Sequence, residues 1–404
     1  MINISEKLLP EGWTLKPLGE IAYLVSGSTP RRSNNSYWQK GTIPWLKSGE
    51  LNDVIGIKEN SEFITEKAVS DTSVKLFEKD TLLIAMYGAT AGKLGILSIK
   101  ATTNQAVCSI QNIYEAFNNH YIFYFLLSSR AKIIKDSFGG AQPNISKSYL
   151  EKILIPLPPI EEQNRLVAKI DTLFLRIDKA ISLTEESLAQ VKNLLPSALK
   201  KVFDNCEGAI MKLNDVSVIQ PKKNQVKDLE CNVSFVPMKY LEEKKIDFTP
   251  ESDKNITDVY KGYTYFQDDD VLLAKVIPCF QNGKSGVAKG LTNGIGFGSS
   301  EFIVFRPKGF ILSEWLYYNI SSPDFLREGN KNMSGAVGLK RLTKSFVSDW
   351  EIKVPDLKRQ KEFVDRITKI SNHSKITQTK LEEQLDYLKH LKSSILSKAF
   401  KGEL

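Results

Sequence analysis

Cysteine and histidine are scarce in this chain. Its 404 residues include four cysteines, Cys108, Cys206, Cys231 and Cys279, and three histidines, His120, His373 and His390. Four scattered cysteines are too few for a disulfide framework, and none forms the C-x-x-C pair of a zinc ligand set. Three dispersed histidines argue against a multi-histidine metal site. No apolar run reaches ~18 residues, the length that crosses a bilayer as a helix. The opening MINISEKLLPEGW has no basic stretch followed by an apolar one, so it does not resemble a secretory leader. These absences disfavour secretion and membrane spanning and predict a reducing, cytoplasmic setting. Charge excess is also small: 55 Lys+Arg against 47 Asp+Glu give +8, a mild pointer to nucleic acid. What remains, 42% hydrophobic and 25% charged residues, is ordinary for a globular protein, and the length predicts two or three domains.

The chain is written twice. Phe77–Ala85 (FEKDTLLIA) returns as Phe266–Ala274 (FQDDDVLLA), and Gly92-Lys93-Leu94-Gly95 as Gly283-Lys284-Ser285-Gly286. Gly140-Ala141 returns as Gly335-Ala336. Ile155-Pro156-Leu157-Pro158, then Gln163, Leu166, Val167 and Ile170, return as Lys353-Val354-Pro355, Gln360, Phe363, Val364 and Ile367. Ser197–Phe203 (SALKKVF) returns as Ser394–Phe400 (SILSKAF). One match is chance; an ordered series at a slowly drifting offset is a tandem duplication.

Each copy has two parts. The first, residues 12–158 and 208–355, mixes short apolar runs with Gly, Asn, Ser and Pro. Thr81–Tyr87, Gly95–Ile99, Val271–Ala274 and Glu301–Phe305 have the length and flanks of strands. Helical stretches are expected near Tyr121–Ser137 and Ser313–Glu328. The second part, residues 159–207 and 356–402, lacks helix breakers almost entirely. From Glu161 to Cys206 the only glycine or proline is Pro196, and from Asp356 to Lys401 there is none. Apolar residues recur there at three and four, from Leu166, Ile170, Leu173, Ile177 and Ile181 to Leu188, Val191 and Leu195. The second copy repeats this with Ile367, Ile370, Leu381, Leu385, Leu388, Leu391 and Ile395. At 1.5 Å per residue, ~40 residues make a helix of ~60 Å. Such a helix needs a partner for its apolar stripe, and its own duplicate, packed antiparallel, is the nearest. Pro196 is expected to kink or interrupt the first helix. The predicted fold class is α+β: two duplicated α/β globular heads, joined and separated by two long antiparallel helices in a coiled coil, with pseudo-twofold symmetry.

Catalytic patterns are incomplete. Gly88-Ala-Thr-Ala-Gly92-Lys93 has three residues between its glycines where a phosphate-cradling loop needs four, and Leu94 follows where Ser or Thr must bind Mg²⁺. Its repeat has Pro278 in place of the first glycine. Gly296-Phe-Gly298 opens no G-x-G-x-x-G turn, and there is no Asn-Pro-Pro-Tyr of the kind that adenine methyltransferases use. Asp324, Glu351 and Lys353 fit a loose nuclease pattern that the first copy does not repeat. No catalytic residue and no metal ligand set is assigned.

Several phrases resemble the DNA specificity subunit of type I restriction–modification systems, and together they cover nearly the whole chain. They are Pro17–Ile21 with Ser26–Pro30, Tyr37-Trp38, Ile43-Pro44-Trp45, and Ala141-Gln-Pro-Asn-Ile-Ser146. Ile155–Pro159 with Glu161-Glu162-Gln163, and Ser394–Leu404, complete them. The second copy departs from the pattern: it lacks Ser-Gly-Ser-Thr-Pro and has Gly335-Ala-Val-Gly338 where Gln-Pro is expected. The resemblance implies two target-recognition domains, 12–158 and 208–355, each reading one half-site of a bipartite DNA target. It implies spacer helices at 159–207 and 356–402. It also implies partners: double-stranded DNA, two methyltransferase subunits using S-adenosylmethionine, and restriction/translocase subunits using ATP and Mg. This chain itself would hold no cofactor and perform no chemistry.

Base readout needs Arg or Lys for guanine, Asn or Gln for adenine, and phosphate contacts for position. In the first head the richest loop carries Thr29, Arg31, Arg32, Asn34, Asn35 and Tyr37. Tyr87, Thr90 and Lys93 form a second set, and Gln142, Asn144 and Lys147 a third. In the second head the candidates are Lys222, Lys223 and Asn224; Lys239 and Tyr240; Gln281, Asn282 and Lys284; and Lys331, Asn332, Lys340 and Arg341. The alternatives are a specificity subunit of a type IIB-like methyltransferase–nuclease, a coiled-coil protein adaptor without DNA binding, and a nuclease using Asp324, Glu351 and Lys353.

Overall fold

The computed structural model describes residues 9–58, 60–113, 115–137, 144–226, 230–336 and 340–404. The chain divides into two compact units, Met1–Thr184 with Glu383–Leu404, and Glu185–Glu382. Each unit therefore contains one head and segments of both long helices.

In the first unit the main sheet has five strands in the order Ala22–Ser26, Val107–Asn112, Leu82–Ala85, Leu94–Leu97 and Val54–Ile57. Neighbours are antiparallel except Val54–Ile57, which runs parallel to Leu94–Leu97. Leu82–Ala85 is buried along its whole length, which explains why it is a continuous apolar run and not an alternating one. A smaller sheet orders Glu62–Ile64, Ile43–Leu46 and Thr102–Thr103. Thr14–Pro17 pairs antiparallel with Leu154–Leu157 and ties the two ends of the head together. Asn118 caps the helix Asn119–Asp136 by accepting from the His120 and Tyr121 amides, a strong start signal.

The second unit repeats this plan. Ser217–Ile219, Phe302–Pro307, Val271–Ala274 and Ser285–Val287 form its main sheet in the same order and the same antiparallel sense. The smaller sheet orders Ser252–Asn255, Asn232–Val236, Ile295–Gly298 and Thr264–Gln267. Ala209–Lys212 pairs with Glu351–Val354 as the closing ribbon. Gly92 and Gly283 both have positive φ, +78° and +74°, so the repeated Gly-Lys marks one left-handed turn. The helical stretch expected over Ser313–Glu328 is two helices, Ser313–Ile320 and Pro323–Lys331. Ser322 caps the second by accepting from the Phe325 amide, and Pro323 sits at its first turn, where a missing N–H costs nothing.

The long helices run Ile160–Asn205 and Leu357–Ala399. Of the kink or interruption expected at Pro196, the interruption does not occur: the first helix runs through it. Lys192, whose carbonyl loses its partner there, is exposed, so water can take that bond. Within the first unit, Leu166, Val167, Ile170 and Ile177 share one core with Ile395, Leu396, Ala399 and Phe400 and with the head's Tyr121 and Phe125. The start of one helix thus meets the end of the other, antiparallel, with Lys392 Nζ 2.5 Å from Asp178 Oδ1. Within the second unit, Leu199 and Val202 share a core with Val364, Ile367 and Trp315, and Ser374 Oγ donates to the Val191 carbonyl at 3.0 Å. Near each head the apolar stripe is covered by that head as well as by the other helix.

The repeated glutamine has one task in both copies. Gln163 is buried, accepts from the Asn118 amide at 2.9 Å and donates to the Pro158 carbonyl at 2.9 Å. Gln360 is buried, accepts from the Leu312 amide at 2.8 Å and donates to the Pro355 carbonyl at 2.8 Å. Each glutamine ties the start of a long helix to the head preceding it. Among the described residues, no helix is long and apolar enough to cross a membrane.

Candidate nucleic-acid interface

The loop leaving Ala22–Ser26 is built against the smaller sheet of the first head. Gly27 N donates to the Val107 carbonyl and Ser28 N to the Thr103 carbonyl, both at 2.9 Å. A side chain at Gly27 would collide with Thr103 and the Asn104 backbone. The Thr29 hydroxyl donates to the Gln105 side chain. Asn34 caps a 3-10 turn, Asn35–Tyr37, accepting from Ser36 N at 3.1 Å and Ser36 Oγ at 2.8 Å. Tyr37 packs on a small cluster around Trp45 and Ile64. The Arg32 guanidinium lies over Trp38 at 3.8 Å and near Trp45 at 4.7 Å, and these two rings meet edge to face. Glu62 pairs with Arg32 and receives Lys47 Nζ at 2.5 Å. The Arg32 and Lys47 cations hold the Glu62 carboxyl below the usual glutamate value. Arg31 and Asn35 are exposed.

The second and third sets of the first head are brought together. Tyr87 and Asn144 form an isolated antiparallel bridge, and Ile145 N donates to the Met86 carbonyl at 2.9 Å. Thr90 Oγ1 donates to the Tyr87 carbonyl at 3.3 Å. Lys93 points elsewhere: its Nζ lies 3.1 Å from Asp53, which also pairs with Arg130. Burial pushes the Asp53 carboxyl up, but Arg130, the Leu94 amide and Lys93 outweigh it and hold the group ionised below its usual value. Lys147 is exposed and 3.6 Å from Glu151. Gln142 lies outside the described residues.

In the second head, Lys222, Lys223 and Asn224 occupy the matching place, the loop leaving Ser217–Ile219, which carries a 3-10 turn at Lys223–Gln225. Gln220 has φ +56° and pins the loop with both ends of its amide, donating to the Phe302 carbonyl at 3.1 Å and accepting from Val304 N at 3.1 Å. Lys223 Nζ donates to the Tyr260 carbonyl and lies 4.6 Å from that ring's centre. Lys222 and Asn224 are exposed on the rim of a cleft of about 480 Å³ walled by Tyr260, Tyr263 and Tyr265. Behind it, Arg306 pairs with buried Asp270 through two bonds, at 2.9 and 2.8 Å.

The other sets of this head are mostly engaged. Lys239 is 2.9 Å from Glu251 and lies over Tyr240. Asn282 Nδ2 donates to Glu243 at 2.7 Å and Lys284 Nζ to the Met238 carbonyl at 3.4 Å. Arg341 grips Glu301 with two bonds of 2.9 Å, and Lys331 and Asn332 both bond Glu328. Gln281 and Lys340 are exposed. The nuclease look-alike is not assembled: Lys353 Nζ donates to the Phe203 and Asp204 carbonyls, and Asp324 pairs with Arg327 at 2.7 Å. Among the described residues, no three Cys, His, Asp or Glu side chains cluster as a metal site.

Glu62, Trp38 and Trp45 in the first head, and Tyr260, Tyr263 and Tyr265 in the second, were not among the sequence candidates. The tryptophans stood in a quoted phrase, but nothing local marks Glu62, which is 30 residues from Arg32.

The type I restriction modification DNA specificity domain model matches residues 10–193 and again residues 207–386. The specificity subunit of the Escherichia coli type I restriction enzyme EcoAI is 38% identical over 39% of this chain and 27% of that protein. That of EcoKI from Escherichia coli K12 is 22% identical over 99% of this chain and 91% of that protein. The chain spans about a quarter to two-fifths of the length of the EcoAI, EcoEI and MjaIX specificity subunits that it matches. Among solved structures, the HsdS subunit from Thermoanaerobacter tengcongensis has a TM-score of 0.62 at 19% identity, covering 98% of both chains. A chain from a study of complex assembly in the type I R-M system reaches 0.75 at 20% identity, covering 98% of this chain and 99% of that one. These two likenesses concern the fold. The family model covers both halves of the duplication and most of the chain, so this protein belongs to the type I restriction–modification DNA specificity family.

Proposed function

We propose that the chain is the non-catalytic specificity subunit of a type I restriction–modification complex, reading a bipartite DNA target with one half-site per head. The observation that carries this reading is the double match of one DNA specificity domain onto two heads that share a backbone plan but differ in loop chemistry. Target-recognition domains 12–158 and 208–355 would each take a half-site, and the helices 159–207 and 356–402 would set the unread gap. Half-sites about one helical turn apart, ~34 Å, let both heads face one side of the duplex. Two methyltransferase subunits would bring S-adenosylmethionine, and restriction subunits ATP and Mg²⁺; this chain would hold none of these cofactors itself. The cytoplasm is the setting in which such a complex meets its DNA.

Exchange of residues 12–158 for another head of the family tests this. Methylation by the assembled complex shifts at one half-site and stays at the other. Unchanged specificity overturns the reading. Adding whole turns to both helices should widen the gap.

A further inference from the structure

This inference rests on the reading above and narrows it to one corner of each head. In both heads the first strand of the main sheet runs into a loop with a 3-10 turn, Asn35–Tyr37 or Lys223–Gln225. In both, that loop lays a cation on an aromatic ring: Arg32 on Trp38 and Trp45, Lys223 on Tyr260. The residues differ, yet the device recurs at the same place of a duplicated fold. Lys93, Lys239, Asn282, Lys284 and Lys331 are likewise held by acids or carbonyls of their own head, Lys239 over Tyr240 as well. What sets this corner apart is that exposed Arg31, Lys222 and Asn224 stand beside the held cation.

We infer that this corner is the base-reading surface of each head, with Arg32 taking a guanine edge and Asn224 an adenine edge. Arg32 is fixed in orientation by ring stacking and by Glu62 on one nitrogen, while about half of its side chain (51%) stays exposed. A guanidinium held this way keeps free donors in a planar fork and loses little rotamer freedom on binding. The Glu62 charge beside it repels phosphate and tolerates a neutral base edge. Glu62 touches Arg32 and not DNA, so it is a positioning residue. Arg31, next door, is exposed and forms no ion pair among the described residues; it suits phosphate. In the second head, Gln220 and Lys223 hold the loop so that Lys222 and Asn224 stand at the mouth of the tyrosine cleft. Asn224 has the amide pair that matches adenine, and Lys222 the charge for a flanking phosphate.

The test is selection from a pool of duplex DNA of random sequence by the chain assembled with its methyltransferase subunits. Competition binding of the selected duplexes follows. Arg32→Lys should lose about 10- to 100-fold of preference at one position of one half-site, and Asn224→Ala the same in the other. Glu62→Gln should relax the position lost with Arg32→Lys, by a smaller factor, and leave the salt slope unchanged. Arg31→Ala should weaken all sequences alike and lower the salt slope by ~1. Thermal melting of each variant confirms that it is folded. If folded Arg32→Lys and Asn224→Ala keep every base preference while the head exchange still redirects one half-site, this inference falls and the proposed function stands. If the head exchange changes nothing either, the proposed function falls with it.

Discussion

The first head holds its loop cation between two tryptophans and a glutamate, whereas the second holds its own with one tyrosine and a backbone carbonyl. The backbone route is shared and the chemistry is not. Where the copies agree, as at Gln163 and Gln360 or Gly92 and Gly283, the residue closes a buried hydrogen bond or a left-handed turn that the fold requires. In the loop that leaves the first strand, where they disagree, Arg31, Asn35, Lys222 and Asn224 face solvent, and the duplication was free to diverge.

The comparison can be broken at its most buried point. Trp45 is almost fully buried, so Trp45→Ala should destabilise the first head by about 4 kcal/mol in urea unfolding. Tyr260 is only half-buried, and Tyr260→Ala should cost about 1–2 kcal/mol. Equal losses would mean that the two corners are built alike. A second contrast lies behind the second corner. In the duplication Thr81 aligns with Asp270, and only the second head buries a carboxylate there, against Arg306. Burial raises the Asp270 pKa despite that partner. Asp270→Ala removes the arginine's buried carboxylate partner and should cost about 3 kcal/mol, whereas Thr81→Ala, losing one bond to the Glu78 carbonyl, should cost under ~1 kcal/mol.

The next prediction sharpens the likeness. Gln163→Ala and Gln360→Ala each leave a part-buried amide without its acceptor, and both should cost about 1–2 kcal/mol. Unequal losses would show that the helix starts are tied differently. The smallest effect is on pH. Because the folded Glu62 pKa lies below its ordinary 4.5, the stabilisation is complete above that value and fades as pH falls through the lower, folded one. Tryptophan fluorescence from Trp38 and Trp45 should therefore change on acidification below pH 4.5, and Glu62→Gln should abolish the change. Lys223 is held by a carbonyl, so the second loop should show no such acid step.

Much of the fold was legible in advance. Val271–Ala274 is a strand over the residues expected, and the long helices Ile160–Asn205 and Leu357–Ala399 lie where the sequence is almost free of breakers. Local periodicity and the absence of breakers carry that information. The break at Ser321-Ser322 was missed because two short helices share one apolar pattern, with only Ser-Pro to mark the join. Pro196 was expected to kink or interrupt the first helix; it does not interrupt it, because the lost bond falls at exposed Lys192 and packed turns on either side hold the helix.

The candidate interface was legible as a set of loops and not as a set of free groups. Composition told which segments carry Arg, Lys, Asn and Gln; it could not tell which cations already have partners. The acids that engage Arg32, Lys93, Lys239 and Arg341 lie 30, 40, 12 and 40 residues away in sequence, on other strands and loops. By itself, then, the sequence determined the duplication, the strand and helix runs and the segments rich in readers, because each depends on neighbours along the chain. Which of those candidate groups stay exposed and which are engaged by their own head was decided only by the tertiary structure, because ion pairing and ring stacking join residues that the chain keeps apart.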